Sequence, residues 1–148
     1  MLSVQELKKA LEQEHCDFEV IGHSEPIIKT QDAAKYFDTT KAAPTFVINT
    51  ENGLVALIVS ARRGKLDFKE FGCLAGYAVL KMADRGQAEA ATGYPVGTIP
   101  LIGHNLPCLF DNTLLDFDYI YGGTGDELHT LKISPFDVVR LNKVIREI

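Results

Sequence analysis

Glycines at 93, 97 and 103 alternate with prolines at 95, 100 and 107 in the stretch T-G-Y-P-V-G-T-I-P-L-I-G-H-N-L-P, residues 92–107. The prolines stiffen such a loop, and the glycines leave backbone bare enough to approach a ligand closely. Backbone N–H groups held in that way suit one kind of chemistry: binding a carbonyl oxygen as it becomes an oxyanion. A tight structural connection between a helix and a strand explains the same residues equally well. The compact basic cluster Ala61-Arg62-Arg63-Gly64-Lys65 is open in the same way. It is either a solvated loop or a contact for the phosphate of a nucleic-acid end.

Other constellations carry less. His104 and Cys108 stand four apart, but Pro107 forbids the helix that would bring them together. Cys108 opens an apolar run and reads as a small core residue. The four histidines show no H-x-x-x-H, and Cys16, Cys73 and Cys108 no C-x-x-C, so neither a metal nor another cofactor is expected. G-Y-P-V-G is not followed by G-K-[ST] and is no phosphate-binding P-loop. Asp116 and Asp118 read as solvated.

The elements that must position the loop are marked by local signals. Ser3 and Glu6 predict a capping box for a first helix with Leu7 and Leu11 on its apolar stripe. Phe18 and Val20 begin a strand that ends near His23, and Thr30 predicts the cap of a second helix burying Ala33, Ala34 and Phe37. Residues 45–48 and 54–59 read as two strands joined at Glu51-Asn52-Gly53, antiparallel and central to the sheet. Residues 66–74 form a short helix and 77–82 a strand. Asp84 with Gln87 caps the helix that Gly93 ends. Residues 108–110 are a strand with Asp111 at its exit. Residues 118–121 are another strand, 122–126 a flexible loop and 128–133 the last strand. Ser134-Pro135 then starts a final helix with Val138, Leu141 and Ile145 on its core face. Interleaved helices and strands with an antiparallel hairpin favour a mixed sheet over a doubly wound parallel one.

The net charge of −5 argues against a strong nonspecific nucleic-acid binder, so DNA is not an expected partner. No apolar run approaches the ~20 residues that cross a bilayer. The first residues lack the apolar core of a signal peptide, and a cytoplasmic protein is the default expectation.

Four segments, in order, resemble the YbaK/prolyl-tRNA-synthetase-associated editing domains: A-A-P-T-F-V, R-R-G-K-L-D-F, T-G-Y-P-V-G-T-I-P-L-I-G before a strand ending in Asp, and G-G-T-G-D-E-L-H. The resemblance covers nearly the whole chain, residues 1–148 as one domain. It implies an α+β fold: a compact, strongly curved mixed β-sheet surrounded by helices, with a pocket at one side. It also implies a stand-alone hydrolase acting in trans on the ester of a mischarged aminoacyl-tRNA, with the tRNA acceptor end as partner and an aminoacyl-tRNA synthetase as a second one.

Carried over position by position, the resemblance places Gly97, Thr98 and His129 at the reacting ester. It places Pro100, Gly103, Asp111 and His23 around the substrate. Members of the family carry a lysine where this chain has Pro44, and many carry a proline where it has Leu101. The missing lysine motivates an alternative: a binding module of the same fold that recognises an aminoacyl-nucleotide without turning it over. Lys41 lies three residues before Pro44, roughly 10 Å of extended chain at ~3.3 Å per residue. Antiparallel pairing of the two central strands sets Arg62 and Arg63 beside Pro44, which makes them the expected replacement.

Overall fold

The structure is a computed structural model that describes residues 2–27 and 30–148, with Thr30 and Gln31 in their main chain only. The cap expected from the Thr30 side chain therefore lies outside the described residues. Local signals set the helix ends. Ser3 and Glu6 close a full capping box on α1 (Val4–Gln13), as Asp84 and Gln87 do on α4 (Arg85–Thr92). Asp67 caps α3 (Phe68–Ala75), and Ser134 caps α5 (Pro135–Leu141) with Pro135 at its first position. Gly76 and Gly93 end α3 and α4 in the left-handed conformation that glycine adopts without strain. The second helix, α2, is only Thr30–Ala33. Ala33 is buried but Ala34 is exposed, and Phe37 stacks on Tyr121 at 4.5 Å between ring centroids.

The mixed sheet is divided in two. One sheet orders β1 (Phe18–Gly22), β7 (His129–Ile133) and β6 (Ile120–Gly123), all antiparallel. The other orders β4 (Leu80–Met82), β2 (Thr45–Thr50), β3 (Gly53–Ile58), β5 (Cys108–Phe110) and β8 (Val144–Glu147). Its β4–β2–β3 half is antiparallel, and its β3–β5–β8 half is parallel. The expected hairpin is present in full register from Thr45↔Ile58 to Thr50↔Gly53. As its apolar run predicts, β3 is buried on both faces, with Ala56, Leu57 and Ile58 at 0% exposure.

Leu7, Leu11, Ile58, Phe110, Leu131 and Val138 belong to the main core, in which residues of both sheets, α1 and α5 meet. A second cluster packs Phe71 and Ala75 of α3 on Ile48, Val55 and Leu57. A third holds Ala88 of α4 with Val47, Tyr94 and Ile99.

Two expectations change. The segment 144–147 is a strand, not the tail of the last helix, because Asn142 stops α5. Its Nδ2 donates to Val138 O at 2.8 Å and Leu101 O at 2.9 Å, and the chain then pairs with β5. The Gly122–Asp126 segment is not a loose loop. Gly122 and Gly123 end β6, and Thr124 is buried, its hydroxyl donating to Asp126 O and His129 O.

The two sheets meet along a seam beside the glycine–proline loop. Ala42 and Tyr121 form a parallel bridge, as do Pro100 and Gly123. Ala43 N–H donates to Tyr121 O at 2.7 Å, and Leu101 N–H to Gly123 O at 3.1 Å. A Cβ at Gly123 would run into the carbonyl of Ile99, and one at Gly122 into the Leu101 side chain. These glycines are bare so that the loop can lie flat against β6.

Candidate functional site

At this seam opens a cleft of ≈ 180 Å³. Its walls come from His23 and Ile27 after β1, Phe37 after α2, Ala42–Pro44 before β2, Ala61 after β3, Gly97 and Thr98 of the loop, and the Tyr121–Thr130 region of the small sheet. Of the residues expected at a site, it brings together His23, Pro44, Gly97, Thr98 and His129. It adds Phe37, Tyr121, Asp126 and Glu127, which sequence reasoning did not single out. Asp126 was open to detection, since it stands three residues before His129. Phe37 and Tyr121 were not, because only the sheet seam brings them to the cleft.

The loop presents backbone. Gly97 has φ +94, and a Cβ there would meet nothing within 4 Å, so the position is open space in a conformation that L side chains rarely adopt. Thr98 closes the turn, its N–H and hydroxyl both donating to Pro95 O at 3.1 and 2.8 Å. Among the described residues the N–H of Gly97 has no protein acceptor. Thr98 O accepts from Gly125 N–H at 2.9 Å, which ties the loop to the small sheet.

Across the cleft, Gly22 is the register partner of His129, and a Cβ there would sit 3.9 Å from the imidazole. His129 Nδ1 is buried, lies 3.4 Å from Asp126 Oδ2 and makes no formed hydrogen bond. The Leu128 N–H, with His129 beside it, holds the Asp126 carboxyl below the usual carboxylate range. With Nδ1 turned to that carboxylate, Nε2 is the atom left to accept a proton. His23 is 9% exposed and fully engaged. Its Nδ1 lies 3.0 Å from Glu25 O and its Nε2 3.0 Å from Thr130 Oγ1. A carbonyl can only accept, so Nδ1 donates to Glu25 O, and Nε2 pairs with the Thr130 hydroxyl.

The remaining expected residues lie outside the cleft. Arg63 forks onto Asp111, Nε to Oδ2 at 2.6 Å and Nη2 to Oδ1 at 2.9 Å. Burial pushes the Asp111 carboxyl up, but the donors from Arg63, Ser60 and Thr113 outweigh it and hold it below the usual range. Arg62 lies over the Phe117 ring at 5.7 Å, and Lys41 over Tyr119 at 4.2 Å. Pro100 bridges to Gly123, and Gly103 packs against Leu2 and Tyr94. Among the described residues no lysine or arginine lines the cleft. Lys65 lines a separate groove that shares Pro44 with it.

Comparison with known proteins identifies a family and a fold. Residues 24–141 match the family described as the aminoacyl-tRNA editing domain. A solved structure described as a candidate trans-editing enzyme for prolyl-tRNA synthetase superposes with a TM-score of 0.81 at 22% identity, covering 99% of this chain and 96% of that one. A hypothetical protein of known structure gives 0.80 at 21% identity, over 95% and 96% of the two chains. A candidate signal transduction protein from Marinobacter aquaeolei VT8 gives 0.68 at 17% identity, and there the match takes up 99% of this chain but 30% of the other. At these identities the likeness is one of fold.

Proposed function

The chain belongs to the aminoacyl-tRNA editing domain family, and on that premise we propose that it hydrolyses the ester of a mischarged aminoacyl-tRNA in trans. The observation that carries the proposal is the cleft itself: Gly97, whose N–H has no protein acceptor among the described residues, lines it together with His129 and Asp126. An aminoacyl ester is already activated, so the protein need only orient it, place a water and stabilise the oxyanion.

In this reading the ester carbonyl lies toward Gly97 N–H. Water adds to the carbonyl carbon, and its proton passes to His129 Nε2 while Asp126 steadies the imidazolium. Collapse breaks the bond to the ribose oxygen, which takes that proton back. The products are the free amino acid and the tRNA with its terminal hydroxyl restored. His23 is a positioning residue, holding Thr130 and so the strand that carries His129. A synthetase partner would supply affinity for the tRNA body that a chain of net charge −5 lacks.

One observation favours a second reading, a module that binds an aminoacyl-nucleotide without turnover: the cleft has Pro44 where a cation is expected, and no lysine or arginine lines it among the described residues. A panel of mischarged tRNAs separates the two. Release of one amino acid above the spontaneous rate, lowered by His129→Ala in rate or selectivity, supports the hydrolase. No release from any member of the panel, with analogue binding retained, supports the binding module.

A further inference from the structure

A second cleft of ≈ 260 Å³ adjoins the first across a waist of Pro44, Gly97 and Gly123, which line both. Val47, Ala88 and Ile99 form its buried floor, and Met82 and Val96, 46% and 44% exposed, stand at its rim. Among the described residues no charged side chain lines it. It therefore offers no cation to a phosphate or a carboxylate and suits a flat neutral ring.

Its wall also carries a free strand edge. β2 pairs with β3 along its whole length, but with β4 only opposite Ile48–Thr50. Val47 O accepts from Ala83 N–H at 3.0 Å, so the peptide groups of residue 47 face the β4 side. Pro44 O accepts from Val59 N–H at 3.2 Å and so faces the β3 side. Peptide directions alternate along a strand, so the N–H and C=O of Thr45 face the same way as those of Val47. There β4 has already ended. Thr45 thus presents a donor and an acceptor, unpaired among the described residues, side by side into an apolar slot.

We propose that this slot receives the adenine of the substrate's terminal nucleoside, read by the Thr45 main chain, while the ester lies across the Gly97–Pro44 waist in the polar cleft. The inference rests on the deacylase reading for the identity of the substrate, because a tRNA presents an adenosine at its acceptor end. Adenine has the matching edge: its 6-amino group donates to Thr45 C=O, and the adjacent ring nitrogen accepts from Thr45 N–H. The apolar floor and the Met82 and Val96 rim pack against its faces.

The test is amide NMR titration of the full chain with adenosine 5′-monophosphate and with purine riboside 5′-monophosphate, which lacks only the 6-amino group. The expected result is perturbation of Thr45, Val47 and Val96, with binding of the des-amino compound about five- to tenfold weaker, the loss of one hydrogen bond. Thr45→Pro removes the N–H on the side that β3 does not use, where an edge strand tolerates proline. It should weaken binding about tenfold with Tm nearly unchanged. Should that variant unfold, Val96→Trp, which fills the slot from its exposed rim, should block binding in a folded protein.

Equal affinity for the two nucleotides overturns the proposal. So does perturbation confined to Phe37, Tyr121 and Ala42, which would place the base in the polar cleft, or an extended peptide that pairs at Thr45 where the nucleotide does not. Deacylation measured alongside separates the two readings. Turnover of a mischarged tRNA with a KM untouched by Thr45→Pro removes the slot alone. Nucleotide binding at Thr45 without turnover supports the slot and removes the hydrolase.

Discussion

Asp111 stands at the exit of a strand where the family resemblance places a substrate contact, yet its surroundings make it a structural anchor. Its carboxylate is 0% exposed and accepts from Ser60 N–H at 2.9 Å, from two Arg63 nitrogens at 2.6 and 2.9 Å, and from Thr113 N–H and hydroxyl at 3.0 and 2.8 Å. Asp111→Ala leaves those donors without their acceptor. Breaking one side of a buried pair destabilises by about 3–5 kcal/mol. The Arg63 side chain is 28% exposed and can turn partly to water, which sets the expectation at the lower end, about 3 kcal/mol. At about 3 °C per kcal/mol for a chain of this size, Tm falls by about 9 °C.

Asp111→Asn keeps the volume and one acceptor oxygen, and should lose about 2 kcal/mol. The sign with pH follows from the lowered carboxyl. A group whose folded pKa lies below its unfolded value of about 3.9 stabilises fully above that value and loses the contribution as pH falls through the folded pKa. The gap between wild type and Asp111→Asn should therefore be widest near neutrality and close below about pH 4. Thermal and urea unfolding across pH, with kcat/KM on a mischarged tRNA at a temperature where both proteins are folded, make the assay. A variant with wild-type stability and a collapsed kcat/KM would refute the reasoning and put Asp111 on the substrate.

Three further outcomes follow from the seam and the core. Gly97→Val places a side chain at φ +94, which costs about 1–3 kcal/mol if the turn is kept, and should abolish turnover while the protein stays folded; unchanged turnover removes the loop from the mechanism. Gly123→Ala drives a methyl into the Ile99 carbonyl, so the loop must leave β6, and a Tm within about 2 °C of wild type would contradict the docking described, since overpacking of this kind costs about 1–3 kcal/mol. Burial pushes the Cys108 thiol up to about 12, so at pH 8 a thiol reagent should label exposed Cys73 in the native protein and reach Cys108 only in denaturant; rapid native labelling of Cys108 would show that the core opens.

What the sequence determined by itself was local. Both capping boxes, the left-handed glycine after Thr92, the proline-first final helix and the hairpin at Glu51-Asn52 are decided by hydrogen bonds three or four residues long, so the residues that make them are legible in order. The apolar runs at 54–59 and 108–110 likewise marked strands, of which residues 55–58 and 108–110 are buried.

The tertiary structure decided where one element meets another far along the chain. Ile145 continues the Val138 and Leu141 spacing of a helix face, but Asn142 stops α5 and the open edge of β5 makes residues 144–147 a strand. Gly122, Gly123 and Gly125 look like slack in a sequence, but each is bare because a loop or a tyrosine from another segment lies against it. Arg63 looked free to meet a phosphate until Asp111, 48 residues away, took both ends of its fork. Each of these outcomes depends on distance in space, and residue spacing constrains that distance only within a turn or a strand.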